Sequence, residues 1–301
     1  MKLEINHVSK SFYGKTAVNN FSMELHSGEC VGLIGPNGAG KSTLIKLVAD
    51  ILDPNGGEIL LNGEKISKMK KEIGYLPQYP NFFHWMTAKE TLTFMVQLSG
   101  LKKEELKKSI PEILTKVGLK DVGNSKVGTF SGGMKQRLGI AQALLHKPSF
   151  IVMDEPVSAL DPIGRREVLN LIEEIKRETT ILLSTHILSD AEEICERFVM
   201  IKEGTKIEDT TITELLNRHS ENKFIVEITA KDQQWIHVVK KLPYVKEVEV
   251  TGHKVKISVD HIEKNKNLLL QHALEHKVDI IKFEINRDTL EEIFLKLVVQ
   301  N

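Results

Sequence analysis

The chain has 301 residues, 41% of them hydrophobic, enough to bury the core of one large domain or two ordinary ones. Lysine and arginine number 41, aspartate and glutamate 41, so the charge balance gives no electrostatic argument for nucleic acid as the main partner. It gives no strong pull towards an anionic membrane surface either. Two cysteines, Cys30 and Cys195, stand far apart with no Cys-x-x-Cys pair or His/Cys cluster. They read as small buried apolar side chains in a reducing compartment.

The opening stretch MKLEINHVSK alternates polar and apolar residues and reads as a strand, not as the apolar core of a signal peptide. No apolar run approaches the ~18 residues that span a bilayer. The expectation is a soluble cytoplasmic protein; if it serves a membrane process, another chain crosses the membrane. Strand candidates follow in LEINHVSKSF, AVNNFSMEL and GEILLNGEKI, divided by Gly and Asn. CVGLIG then ends in a Gly-rich turn, and KSTLIKLVADIL continues with helical spacing. From about 81 to 145 the pattern is helical, in TAKETLTFMVQLSG and KKEELKKSIPEILTKVGL. Pro111 is expected at the first turn of a new helix.

Strands return with SFIVMDEP, followed by the helix GRREVLNLIEEIKRE, the strand TTILLSTH, the helix LSDAEEICERF and the strand VMIKEG. Apolar strands alternating with helices indicate a buried parallel sheet. Past Glu208 the character changes. TITELLNRHSENK reads as a linker helix and polar turn. KFIVEITA, DQQWIHVVKKL, YVKEVEVTG, HKVKISVD, KNKNLLLQHALEHKV and DIIKFEINR then run strand, helix, strand, strand, helix, strand. That is the split βαβ order, closed by a helix in DTLEEIFLKLVV. The expected organisation is a domain over 1–207, a linker over 208–222 and a small α+β domain over 223–301.

Five short segments carry chemistry. GPNGAGKS, Gly35 to Ser42, fits G-x-x-x-x-G-K-[ST] between a predicted strand and a predicted helix. Its glycines let the backbone wrap a phosphate, and the helix points N–H groups and its positive dipole end at the anion. Lys41 would neutralise β/γ-phosphates and Ser42 would ligate Mg²⁺. FIVMDEP ends in two carboxylates beyond a parallel strand, where ligands bind. Asp154 is placed to hold Mg²⁺ and Glu155 to act as general base. His186 ends TTILLSTH where it could reach a γ-phosphate, and Gln78 in GYLPQ could ligate Mg²⁺ and sense the water, although a Gln after Pro says little by itself. FSGGMKQR, Phe130 to Arg137, looks like a second phosphate loop for which the chain has no second nucleotide set.

In this order the segments resemble the ATPase subunit of an ABC transporter, over about residues 1–204. GPNGAGKST matches Walker A, Gln78 the Q-loop, FSGGMKQR the signature, FIVMDEP Walker B, SALDP the D-loop and His186 the switch histidine. TLEEIFLKL (Thr289 to Leu297) resembles the closing segment of the ABC-2-type exporter ATPases. Three residues depart from the pattern: Phe130 for Leu, Met134 for Gln and Ala159 for Gly. None of them removes a phosphate-binding group.

The resemblance implies an α/β P-loop ATPase with a mostly parallel core sheet, an antiparallel β subdomain and a helical subdomain near 81–145, plus a ferredoxin-like C-terminal domain. It implies ATP and Mg²⁺ as cofactors. Gly35, Pro36, Asn37, Gly38, Ala39, Gly40, Lys41, Ser42 and Thr43 would hold the phosphates, with Ser42, Gln78 and Asp154 on the metal. An aromatic residue should stack on adenine. Counting back from AVNNFS without a gap selects Phe12, and preferring the residue next to glycine selects Tyr13.

The family dimerises head to tail, so Ser131, Gly132, Gly133 and Asp161 would act on the nucleotide of a second copy. Separate transmembrane permease subunits would dock on the helical part, where YPNFFHWMTAKETL is unusually aromatic; alternatively Phe82, Phe83 and Trp85 pack beneath the helices. Export is the favoured direction. A non-transport ABC ATPase acting on nucleic acid or ribosomes is the competing reading. The short helical region, single motif set and neutral charge weigh against it.

Overall fold

The computed structural model describes residues 1–98, 103–219, 223–229, 232–286, 291–294 and 297. The chain divides into two compact units, Met1–Ile212 and Thr213–Asn301.

The first unit opens on an antiparallel sheet. Strands β1 (Lys2–Phe12) and β2 (Lys15–His26) are joined by Tyr13 and Gly14, both at positive φ. Two such residues in a two-residue loop make the hairpin turn whose twist suits the strands. GEILLNGEKI is not one strand but a second hairpin. In it β4 (Gly56–Leu61) and β5 (Glu64–Lys65) flank Asn62-Gly63, at φ 55° and 78°. Asn-Gly is the preferred pair for that turn, which is why the apolar run breaks there. The sheet order is β2-β1-β4-β5.

The second sheet holds β3 (Cys30–Ile34), β6 (Ile73–Leu76), β7 (Phe150–Asp154), β8 (Thr180–Thr185), β9 (Arg197–Lys202) and β10 (Thr205–Thr211) in the order β10-β9-β3-β8-β7-β6. All its pairs are parallel except β9 with β10. Every residue of β3, β7 and β8 is buried. Strands covered on both faces carry no polar alternation, which explains their continuous apolar runs. Register sets Ile34 against Thr185 and Asp154 against Ser184, so the loops after β3, β7 and β8 leave the same edge.

Helices α1 (Lys41–Val48), α2 (Ala88–Leu98), α3 (Lys103–Lys116), α4 (Gly132–Leu144), α5 (Pro162–Ile175) and α6 (Leu188–Ile194) connect the strands. Pro111 does not begin a helix. It lies inside the single helix α3, where its ring removes one backbone hydrogen bond without ending the run. The expected linker is also shorter than 208–222, because residues up to Thr211 pair with β9. Polar side chains in β10 obscured that strand; Asp209 accepts from Arg197 on β9 at 2.9 Å.

The linker region continues as α7 (Ile212–His219). In the second unit β11 (Lys223–Ile228), α8 (Gln233–Val239), β12 (Val245–Thr251), β13 (Lys254–Val259), α9 (Ile262–Glu275) and β14 (Ile280–Asn286) follow the expected split βαβ order. The antiparallel sheet runs β12-β13-β11-β14, the ferredoxin-like arrangement. Phe224, Val226, Ile257, Trp235 and Leu269 join sheet and helices in one core. The expected closing helix in DTLEEIFLKLVV falls largely outside the described residues; residues 291–294 are helical and Ile293 is buried.

Candidate active site

The turn after β3 cannot carry side chains at two of its glycines. A Cβ on Gly35 would meet the Ile201 carbonyl oxygen at 2.2 Å, and one on Gly40 (φ 105°) would meet that of Ala17 at 2.2 Å. The β9–β10 hairpin holds the loop from behind, since the Gly204 N–H donates to the Ala39 carbonyl at 2.8 Å. Gly40 is the N-cap of α1 and supplies no side-chain hydrogen bond. The first-turn N–H groups therefore stay available to an anion.

Lys41 is buried. Its Nζ donates to the carbonyls of Gly35 (2.7 Å) and Pro36 (3.2 Å) and lies 3.7 Å from Glu155 Oε1. Burial pushes its pKa below the usual lysine value, against the opposing pull of the Glu155 and Asp154 carboxylates. Asp154 Oδ1 accepts from Ser42 Oγ at 3.1 Å and from Ser184 Oγ at 2.6 Å. Glu155 adopts φ 47°, a left-handed backbone for a non-glycine residue. Such a conformation costs roughly 1–3 kcal/mol. It is held by the Glu155 N–H, which donates to the Ser184 carbonyl at 3.0 Å. His186 Nδ1 lies 2.6 Å from Glu155 Oε2, so with an ionised carboxylate the ring carries its proton on Nδ1. Gln78 Nε2 donates to Ser158 Oγ at 3.3 Å, and Ser158 Oγ donates to the Glu155 carbonyl at 3.1 Å.

Lys41, Ser42, Gln78, Glu155 and His186 face a cavity of about 950 Å³ that Asn37, Gly38, Gly40 and Thr43 also line, whereas Asp154, Gly35, Pro36 and Ala39 do not line it. Lys15, Thr16, Ala17 and Glu203 complete the lining. The sequence carried no chemical signal for these four; two hairpin ends bring them to the loop. Ser131, Gly132, Gly133 and Asp161 do not line the cavity. Ser131 instead caps α4, accepting from the Met134 N–H at 3.2 Å, and Asp161 caps α5, accepting from the Gly164 N–H at 3.3 Å. Neither Phe12 nor Tyr13 lines it either. Phe12 pairs across the hairpin with Lys15, a cavity residue, whereas Tyr13 projects fully into solvent at the turn.

Oxygen donors from Ser42, Asp154 and Gln78 at one edge suit a hard cation such as Mg²⁺ better than a soft one. Among the departures, Phe130 is buried, the Met134 N–H takes the Ser131 cap, and Ala159 sits at φ 61°. Left-handed backbone costs a residue with a Cβ roughly 1–2 kcal/mol, which glycine avoids. Ala159→Gly should therefore stabilise the chain by about 0.5–1 kcal/mol after glycine's entropic cost. An unchanged or lower denaturation midpoint would count against strain at Ala159.

Of the aromatic segment, Tyr79 (61%), Phe83 (43%) and Trp85 (67%) are exposed. Phe83 packs against Trp85 in a tilted arrangement with ring centroids 4.8 Å apart and meets Phe94 edge-on at 5.9 Å. Phe83 thus packs on α2 while the cluster still faces outward.

A Gly-rich loop before a helix, a buried lysine and two carboxylates closing a parallel strand define a P-loop ATPase. The ABC transporter family profile matches residues 18–158, and that of the DrrA1-3-like ATP-binding protein C-terminal domain matches 211–298. The chain is 41% identical to the uncharacterized ABC transporter ATP-binding protein YxlF of Bacillus subtilis, over 98% of this chain and 99% of that protein. It is 33% identical to the bacitracin transport ATP-binding protein BcrA of Bacillus licheniformis, over 98% and 97% of the two chains. A dimeric ATP-binding cassette bound to ADP and Pi in a post-hydrolysis state superposes with TM-score 0.63 at 26% identity, covering 70% of this chain and 98% of that one. The chain belongs to the ATP-binding proteins of ABC transporters and is an ATPase.

Proposed function

We propose that this chain powers an exporter by closing as a head-to-tail homodimer on two ATP molecules. The carrying observation is the division of the motifs. Lys41, Ser42, Gln78, Glu155 and His186 share one cavity, while Ser131, Gly132, Gly133 and Asp161 stand outside it. In the head-to-tail arrangement, the Ser131 hydroxyl and the glycine N–H groups of one copy grip the γ-phosphate held by the other. Lys41 neutralises β/γ-phosphate charge, Glu155 takes the proton of the attacking water, and His186 orients Glu155. Ser42, Asp154 and Gln78 would hold Mg²⁺, which supplies positive charge to the phosphate oxygens. Adenine stacks on Phe12 in preference to Tyr13, because Phe12 stands opposite Lys15. ATP favours the closed pair through contacts that only closure makes.

Sedimentation of the Glu155→Gln chain tests closure: a two-chain species is expected with ATP and not with ADP. A monomer at saturating ATP would refute it.

Export is supported by relatives such as the Nod factor export ATP-binding protein I of Rhizobium sp. (strain N33), 34% identical over 83% of this chain and 83% of that protein. Among the described residues no helix is long and apolar enough to cross a membrane. A separate permease then carries the cargo path, with this chain on its inner face, and the aromatic cluster of Tyr79, Phe83 and Trp85 is its docking surface. Trp85→Ala should weaken co-purification with the permease while leaving ATP binding intact. Full retention would move the docking surface elsewhere.

A further inference from the structure

Two charged side chains outside the cavity connect its catalytic edge to the loop that carries Asp161. Asp190 stands in the first turn of α6, just after His186, and is only 3% exposed. Arg165 stands in the first turn of α5, its N–H donating to the Asp161 carbonyl at 2.9 Å. Arg165 Nε donates to Asp190 Oδ1 at 2.8 Å, and its Nη2 donates to the same oxygen and to Ser189 Oγ at 3.3 Å. The second oxygen of Asp190 is buried without a hydrogen bond.

Asp190 is buried and Arg165 half-buried, and an ion pair drawn into the protein is a weak source of stability, since apolar residues of similar volume often hold a fold as well or better. What the guanidinium fork supplies is one fixed geometry between two elements. Here the elements are the starts of α5 and α6. The loop before α5 carries Asp161; the loop before α6 carries His186, whose Nδ1 touches Glu155. A second pair between the same helices, Arg166 with Glu193, is far more exposed and provides a control.

We propose that Arg165 and Asp190 are positioning residues that couple docking of Asp161 against a second copy of this chain to the placement of His186 on Glu155. The inference rests on the composite-site reading above. Its test is steady-state hydrolysis against ATP concentration. Arg165→Gln and Asp190→Asn should each lower kcat about 10- to 100-fold. KM for ATP should stay within about threefold, because uniform binding is untouched. The Hill coefficient should fall towards one, and the combined variant should be no slower than the slower single variant. Arg166→Gln should turn over within about twofold of the parent, as its pair is exposed.

The double replacement Arg165→Met with Asp190→Leu guards against simple unfolding. It should melt at or above the parent temperature and still hydrolyse slowly. Parental kcat in any folded variant of the Arg165–Asp190 pair, or ATP affinity lost in step with turnover, overturns the proposal. A mixture of Lys41→Ala and Ser131→Arg chains assayed alongside separates the two failures. A mixture that stays inactive removes the composite-site reading, whereas restored activity there beside a parental kcat in Asp190→Asn removes only this inference.

Discussion

Glu155→Gln should bind ATP like the parent chain and hydrolyse it about 10²–10⁴-fold more slowly, the usual contribution of a positioned general base. The side chain faces the cavity beside Lys41 and His186, at 3.7 Å and 2.6 Å. Glutamine keeps the shape and the backbone turn at φ 47° but cannot accept a proton. Lys41 and the loop N–H groups remain, so affinity should hold. Phosphate release and nucleotide binding, measured on the same preparation, decide the matter. Turnover near that of the parent would transfer the base role to another group.

Lys41→Ala and Ser131→Arg chains should each be inactive alone, yet activity should return when they are mixed. A mixed dimer pairs the intact Lys41 of one copy with the intact Ser131 of the other, leaving one working site. With random pairing the return should be on the order of a quarter of the parent rate, given an isologous pair of sites. Ser131→Arg also removes the α4 cap, worth about 1 kcal/mol, so that chain must first be shown to bind ATP at its own Lys41. A mixture that stays inactive under that condition would mean that each chain completes its own site.

The parallel strands were legible in sequence for a physical reason. Strands buried on both faces, such as CVGLI, FIVMD and TILLST, can carry no polar alternation, so they stand out as apolar runs. The phosphate loop was equally legible. Gly35 and Gly40 each stand against a carbonyl oxygen that leaves no room for a Cβ. The FSGGMKQR stretch was legible only in part. Its serine and glycines suggested a phosphate, but the same serine is also the N-cap of α4. Local chemistry is identical for a cap and for an anion site.

The sequence by itself determined the P-loop chemistry, the βα alternation of the first unit and the split βαβ order of the second, because each is written in local spacing and side-chain type. Only the tertiary structure decided that Lys15, Thr16, Ala17 and Glu203 complete the cavity, that Ala159 carries a left-handed backbone, and that Arg165 spans to Asp190. These depend on which strands become neighbours: Cys30 pairs with Ile181 and Val31 with Arg197. Such proximity comes from burying one shared sheet, and no periodicity in the chain records it.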